Sequence, residues 1–526
     1  MTLEVPAGGG LLRSGACDCL KEYGAGDNFF TPTKENYATP KLVESWTVSS
    51  DLKKLTMKLK PGIQFQKGFG EMTAEDAAWS INDANAGTTP SSIHGQAGDF
   101  SALFGKNPWK ALDKYTVEAI FENYDVTWNS NFLNDAGQGV VVVSKKAYDT
   151  KGEDWMRENV VATGPYEVKQ WLRNDKITLE ATPSHFWNTA KVKNVRIIQV
   201  PELSTRVAML RTGEADGGRI DLKVVPGLVK QGFKTVSLGL AGHNIISISF
   251  TGNLWEKKHA VTGEPLDTAA VFMRDLPWVS PPDNADKMEK ARKVRTALAL
   301  AIDREAINKA IFEGLGAPAY MPFADPALPE WQDRWRIPYD PKKAEQLLDE
   351  AGYPKKGGVR FEVPLYAASY TMSSGEIGDA IAGMWGAIGV QAQVLKFNYA
   401  VYRPGAVARA TTIPWLATFD EGGTERPFDW PDGLQMSSLS RGGASAAIES
   451  PYIAERLLKV MKEPDKEKRI KMNTEIADYQ AQWMLIPGVV SFPSTFVYNP
   501  KAIKSWEMHA TQVPDFNSPD RIVPAR

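Results

Sequence analysis

Apolar and polar positions along the chain alternate between two periods. Leu55, Met57 and Leu59 are separated by polar residues, the signature of a half-buried strand, and Lys60-Pro61-Gly62 closes it with a turn. Thr73, followed three residues later by Asp76, predicts a capped helix start. The runs 140–143 and 196–200 read as buried strands, and 243–250 as a strand with few charges. A long irregular stretch rich in Pro and Trp follows, over 253–286. Over 287–301 the period becomes helical, with Ala291, Val294, Leu298, Ala301 and Ile302 on one stripe. Asp303 caps a second helix that ends before Gly314. Asp340-Pro341 opens a third, which Gly352 ends. Phe361, Val363 and Leu365 alternate, 375–388 is helical and 390–397 extended, so this segment predicts a right-handed βαβ unit. Residues 467–484 are amphipathic through Met472, Ile476, Tyr479 and Trp483, and 489–498 returns as a strand. The chain is α/β.

Composition narrows the function more than the fold. At roughly 150 residues per domain, 526 residues suggest about three domain-sized units with ample core. A net charge of −2 and a pI near 6.3 lack the basic footprint of a nucleic-acid binder. The 16 Trp, 16 Tyr and 21 Phe supply core, and also suit flat, rigid walls around a ligand. Cys17 and Cys19 are too close for an unstrained disulfide and read as two idle thiols. No run approaches 18 apolar residues, so no membrane span is expected. Residues 1–10 carry Glu4 and Pro6 and no apolar signal core, so either the protein is cytoplasmic or its start is missing from this sequence.

Catalytic signatures are sparse. There is no P-loop, no G-x-S-x-G elbow and no H-E-x-x-H helix. The five histidines, His94, His185, His243, His259 and His509, are isolated, so no metal site is expected. Asp420-Glu421 with Glu425 could form a glycosidase pair, but a solvated acidic loop is the plainer reading.

Six segments in order resemble solute-binding protein family 5, the extracellular receptors for oligopeptides, dipeptides, nickel and related solutes. They are Leu42-Val43-Glu44-Ser45-Trp46; Leu59-Lys60-Pro61-Gly62-Ile63-Gln64-Phe65 with Met72-Thr73-Ala74-Glu75-Asp76; Thr163-Gly164-Pro165-Tyr166 with His185-Phe186-Trp187; Leu210-Arg211-Thr212-Gly213-Glu214-Ala215-Asp216; the stretch from Val294-Arg295 to Ile302-Asp303-Arg304; and Tyr339-Asp340-Pro341 with Leu347-Leu348-Asp349-Glu350-Ala351-Gly352-Tyr353. Locally these are caps, turns and core positions, and Trp46 and Trp187 are expected in the core. The resemblance covers most of the chain. The region before Leu42 is shorter than the family usually shows, and the insert over 255–282 is long.

The resemblance implies an α/β, two-lobed periplasmic-binding-protein type II fold with an extra subdomain, its lobes joined by two crossing strands. The larger lobe would take residues 1–244, with the subdomain at about 60–160, and the return 491–526; the smaller lobe would take 245–490. The crossings are expected near 245–250 and 489–496. The implied function is the non-catalytic receptor of an ABC importer, closing on a peptide or peptide-like solute and delivering it to membrane permease subunits. Alternatives are a glycan-active hydrolase, or the same receptor fold holding a nickel chelate, haem or oligosaccharide. No cofactor and no nucleic-acid partner are implied, and a periplasmic or extracellular, membrane-associated monomer is expected. The ligand-binding candidates are Trp415 and Asp420, matched to a family segment in which a Trp and a following Asp meet the ligand's amino group. The spacing here is two residues longer, and Asp429 competes for the role. Arg403 and Asn253 are added because they follow expected inter-lobe segments.

Overall fold

A computed structural model describes residues 2–4, 23–33, 36, 38–92, 94, 97–135, 139–156, 158–172, 175–237, 243–258, 260, 263–267, 269–322, 324–368, 373–418, 428–429, 448–508 and 519–525. The chain divides into two compact units, Met1–Leu238 with Ser494–Arg526, and Gly239–Pro493.

The first unit is built on a seven-stranded mixed sheet. Its order is Tyr166–Leu172, Lys176–Ala181, Asn194–Ile198, Thr2–Glu4, Gly217–Arg219, Thr495–Tyr498 and Lys234–Ser237. Thr2–Glu4 runs parallel to both neighbours, so residues near the two ends of the chain share one sheet. A separate four-stranded sheet contains Val43–Val48 and Lys54–Leu59. In the latter, Leu55, Met57 and Leu59 are buried and their neighbours are not, as the alternation predicts. The helix Ala74–Ala84 starts where Thr73 and Asp76 predict. One Asp76 oxygen accepts the Thr73 N–H at 2.9 Å and the Thr73 hydroxyl at 2.8 Å, and the other accepts the Lys145 N–H at 2.9 Å.

Residues 140–143 are buried but form no strand. The Val142 N–H goes to the Asp27 carbonyl and the Val143 N–H to Ser80 Oγ, so loop and side-chain acceptors replace a ladder. Trp46, expected inside, is 36% exposed; it packs edge-on against Phe30 and Trp128 with the rest of the ring open. Trp187 is only partly buried and lies under Lys60 Nζ.

The second unit has a six-stranded sheet in the order Ala317–Pro318, Gly488–Pro493, His243–Ser249, Trp415–Thr418, Phe361–Ala367 and Val390–Leu395. The predicted βαβ unit is present: Phe361–Ala367 and Val390–Leu395 pair in parallel, joined by the helix Ser374–Ala387. Helices Ala285–Leu300, Arg304–Phe312 and Pro341–Glu350 start at Asn284, Asp303 and Asp340, each of which accepts a first-turn N–H. Trp278, Trp335 and Trp385 are fully buried, and each indole N–H has an acceptor: Thr251 O, Asp478 Oδ1 and Leu298 O respectively. Much of the Trp surplus is therefore core.

The single strand expected over 489–498 is two strands. Gly488–Pro493 belongs to the six-stranded sheet and Thr495–Tyr498 to the seven-stranded one, with Ser494 between them. Ile245–Phe250 lies within the second unit, where His243–Ser249 is paired on both edges rather than forming a bare tether.

Candidate functional site

The sequence candidates fall in the second unit, and the structure gives them different roles. Trp415 opens its strand opposite Ser249 on one side and Tyr366 on the other. It is 3% exposed and packs with Tyr366 and Tyr402, ring centroids 6.4 and 5.2 Å away, while Phe397 stacks on Tyr366 at 4.4 Å. Interleaved rings of this kind hold a strand end rigidly. Asp420 lies outside the described residues, as do Glu421, Glu425, His259, His509, Cys17 and Cys19. Arg403 lies in the helix Tyr399–Val407.

Asn253 is not available to a ligand. It is fully buried, and its Nδ2 donates to the carbonyls of Phe250 (2.8 Å) and Trp278 (3.1 Å). Its Oδ1 accepts the Ser280 N–H and lies 3.4 Å from Arg295 Nη1. A side-chain amide satisfied at both ends by the chain itself stabilises the fold. Asp429 is buried against Arg469, with its Oδ2 2.5 Å from Nη2, so a structural partner already holds that carboxylate.

The same unit contains two buried cations that the sequence reading left out. Arg295 donates to the carbonyls of Trp483 (2.9 Å) and Trp278 (2.7 Å). Arg304 donates to those of Ala319, Gly488, Ala299 and Ile302. Trp483 ends the helix Lys466–Trp483, and Ala299 lies in the last turn of Ala285–Leu300. Carbonyls there lack the i+4 donor of a helix interior and carry the negative end of the helix dipole, so each guanidinium caps a helix C-terminus. Burial lowers Arg295 to about 9 and Arg304 to about 10, leaving both charged at neutral pH. The signal was present: Arg295 falls four residues after Ala291, on the apolar stripe.

An acidic pair lies close by. Strand Asn253–Leu254 runs parallel to Ile448–Glu449, which brings Glu256 near Glu449, and Arg409 Nη2 sits 2.5 Å from Glu449 Oε2. Both carboxyls are buried, at 5% and 1% exposure. Burial, then the neighbouring Glu449, pushes Glu256 up to about 8, and Arg409 only partly offsets this. Burial likewise raises Glu449 to about 7.

The first unit has a closed polar cluster. Lys41 Nζ lies 2.7 Å from Asp27 and 2.8 Å from Asp135. Asp27 also receives the Thr163 hydroxyl at 2.7 Å and contacts His185 Nε2 at 3.0 Å. Asp135 accepts from the backbone and side chain of Asn28. Burial alone would raise Asp27, but Lys41 and His185 outweigh it and hold the carboxyl well below its usual range. Burial would lower Lys41, and Asp135 and Asp27 push it above its usual value instead. Among the described residues no three His, Cys, Asp or Glu side chains are grouped to hold a metal, and no helix is long and apolar enough to cross a membrane.

Comparison with known proteins places this architecture. The family of bacterial extracellular solute-binding proteins, family 5, matches residues 38–422. The chain belongs to this family. Haem-binding protein A of Haemophilus influenzae is 24% identical over 482 residues, covering 86% of this chain and 79% of the relative. The dipeptide-binding protein of Escherichia coli is 23% identical, covering 69% of this chain and 64% of its own length. Among solved structures, the periplasmic binding protein DppA of Helicobacter pylori, in complex with the peptide STSA, superposes with a TM-score of 0.77 at 18% identity. That alignment covers 100% of this chain and 98% of DppA. Family 5 membership and this superposition establish the type II solute-binding fold.

Proposed function

We propose that this family 5 protein is the ligand-capturing receptor of an ABC importer, taking a peptide or peptide-like solute and handing it to membrane permease subunits outside the cytoplasm. The observation that carries the reading is the chain path. The polypeptide leaves the first unit once and returns once, and the return joins two strands of different sheets across Ser494. A double connection of this kind suits closure of one body on another, and closure favours whichever solute binds the closed state better. Asp420 stays with this proposal as the ligand-contacting residue, and Trp415 as the buried ring that fixes the start of its segment. Asn253 and Asp429 leave it.

The reading predicts stoichiometric binding without turnover, and a melting temperature that rises with ligand concentration. Mass spectrometry of solutes released from the purified protein should identify a peptide, followed by saturable calorimetric binding of that compound. New reducing ends on incubation with glycans would instead establish the hydrolase alternative. Asp420→Ala should weaken binding of a cationic ligand by about 2 kcal/mol, the scale of a charge-assisted hydrogen bond. Unchanged affinity removes Asp420 from the site.

A further inference from the structure

The first unit has a cavity of about 660 Å³ to which the receptor reading gives no role. One wall is the segment from Gly62 to Lys67, and the other is the loop from Thr182 to Phe186 after the strand Lys176–Ala181. The size falls within the range of small-molecule sites.

The floor is fixed and chemically engaged. Thr163 and His185 line it, and both are tied to Asp27 of the buried Lys41 cluster. The other ring nitrogen of His185 accepts the Asn188 N–H at 3.1 Å. Gln66 Nε2 lies within 3.1 Å of the carbonyls of Ala25, Gly164 and Tyr166, which anchors the turn carrying the next residue, Lys67.

The groups left to meet a guest are other lining residues. Lys67 has no carboxylate at ion-pair distance among the described residues. Its ammonium has one long contact, 3.4 Å to Asn159 Oδ1, and lies 5.7 Å from the Trp155 ring centroid. Burial lowers its pKa, as expected of a cation short of counter-charge. Nearby, Glu167 and Glu180 share the single ammonium of Lys169, at 2.8 and 3.1 Å. The lining thus offers an ammonium with no ion-pair partner among the described residues, and two carboxylates on one ammonium. Phe65 and Phe186 add apolar wall, the latter 41% exposed.

The backbone supplies a second, independent observation. Lys67 sits at φ 58°, ψ 18°, a left-handed conformation that favours glycine, and Gly68 and Gly70 beside it also have positive φ. A lysine held where glycine would fit without strain calls for a role for its side chain.

We infer that this cavity binds a small zwitterion of the free amino-acid class, with its carboxylate on Lys67, its ammonium on Glu167 and Glu180, and an apolar side chain against Phe65 and Phe186. The residues of this site all belong to the first unit, and the inference does not rest on the transport reading.

The test is calorimetry with L-phenylalanine, phenylacetate and phenethylamine, the last two lacking the ammonium and the carboxylate respectively. L-phenylalanine should bind saturably, and each single-charge analogue at least tenfold more weakly. Lys67→Met should weaken L-phenylalanine binding tenfold or more, while binding of the co-purifying transport solute stays unchanged. Lys67→Gly keeps the left-handed turn without the ammonium. It should melt at or above the wild-type temperature and still lose L-phenylalanine. No saturable heat with wild-type protein at 10 mM L-phenylalanine, or equal affinity in wild type and Lys67→Gly, overturns the inference.

Discussion

Lys41 in the first unit and Arg295 and Arg304 in the second are buried cations held in different ways. In the first, the Lys41 ammonium bridges the carboxylates of Asp27 and Asp135, and Thr163, His185 and Asn28 supply further polar contacts. In the second, Arg295 and Arg304 are held chiefly by main-chain carbonyls, and Glu256 and Glu449 share Arg409. A full charge placed against partial charges is held less tightly than one placed against full charges, because the attraction scales with the partner's charge while the desolvation cost does not. The first arrangement locks a scaffold. The second stitches helix ends to strands through main-chain carbonyls.

The comparison breaks first at Lys41. Lys41→Met leaves two buried carboxylates without their shared ammonium and should cost about 3–5 kcal/mol, the usual penalty for removing one partner of a buried ion pair. Urea unfolding measures it. Adding Asp27→Asn and Asp135→Asn should recover part of the loss. A single mutant within 1 kcal/mol of wild type would show that the cluster is not closed as described.

Arg295→Met should cost less, about 2 kcal/mol. It orphans the Trp483 carbonyl, but Trp278 O keeps its Asn253 donor, and burying methionine avoids desolvating a guanidinium. Arg295→Lys should not restore stability, because an ammonium cannot reach both carbonyls with the planar fork. Equal losses for Lys41→Met and Arg295→Met would erase the distinction between the units.

How much of this could be read beforehand depends on what each signal encodes. Caps and periods were legible because they are local: Thr73 with Asp76, Asp303, Asp340-Pro341, and the alternation at Leu55, Met57 and Leu59. The break at Ser494 was not, because 489–498 reads as one largely apolar, extended run despite Pro493, and sequence does not say which sheet each half joins. Residues 140–143 misled for a related reason: four buried valines look like a strand, but strand pairing is decided by neighbours distant in sequence. Lys41 with Asp135 joins residues 94 apart in the chain, so no spacing rule could bring them together. Asn253 followed an expected inter-lobe segment, and a buried arginine one helix away uses it instead. The ring stack around Trp415 was half visible as an aromatic surplus, though composition does not separate a ligand wall from core.

The acidic pair sharpens the contrast through pH. Glu256 and Glu449 have folded-state pKa values raised to about 8 and about 7, above the ordinary 4.5. Between those values the folded state holds more protons than the unfolded chain, so this contribution is fully present below pH 4.5 and is lost as pH rises through 7 to 8. Asp27, with its pKa lowered, has the opposite sign: its contribution is present above the ordinary carboxylate range and lost as the solution turns acid. Melting temperature should therefore rise from pH 8 towards pH 5 and fall again in stronger acid. Glu256→Gln should flatten the first slope and leave the second. A variant with the wild-type slope between pH 5 and 8 would remove the pair from the account.

The smallest effect is expected where the geometry looks just as good. Lys58 Nζ lies 2.8 Å from Glu44, the same separation as Lys41 from Asp135, yet both side chains are about half exposed, at 57% and 48%. Water solvates each charge nearly as well as the partner does, and ordering two long side chains offsets the attraction. Lys58→Met should leave the melting temperature within measurement error, and 0.5 M salt should weaken this pair while barely touching the buried one. If Lys58→Met destabilised as much as Lys41→Met, then distance rather than burial would set the worth of a charge pair here, and the contrast between the two units would lose its physical basis.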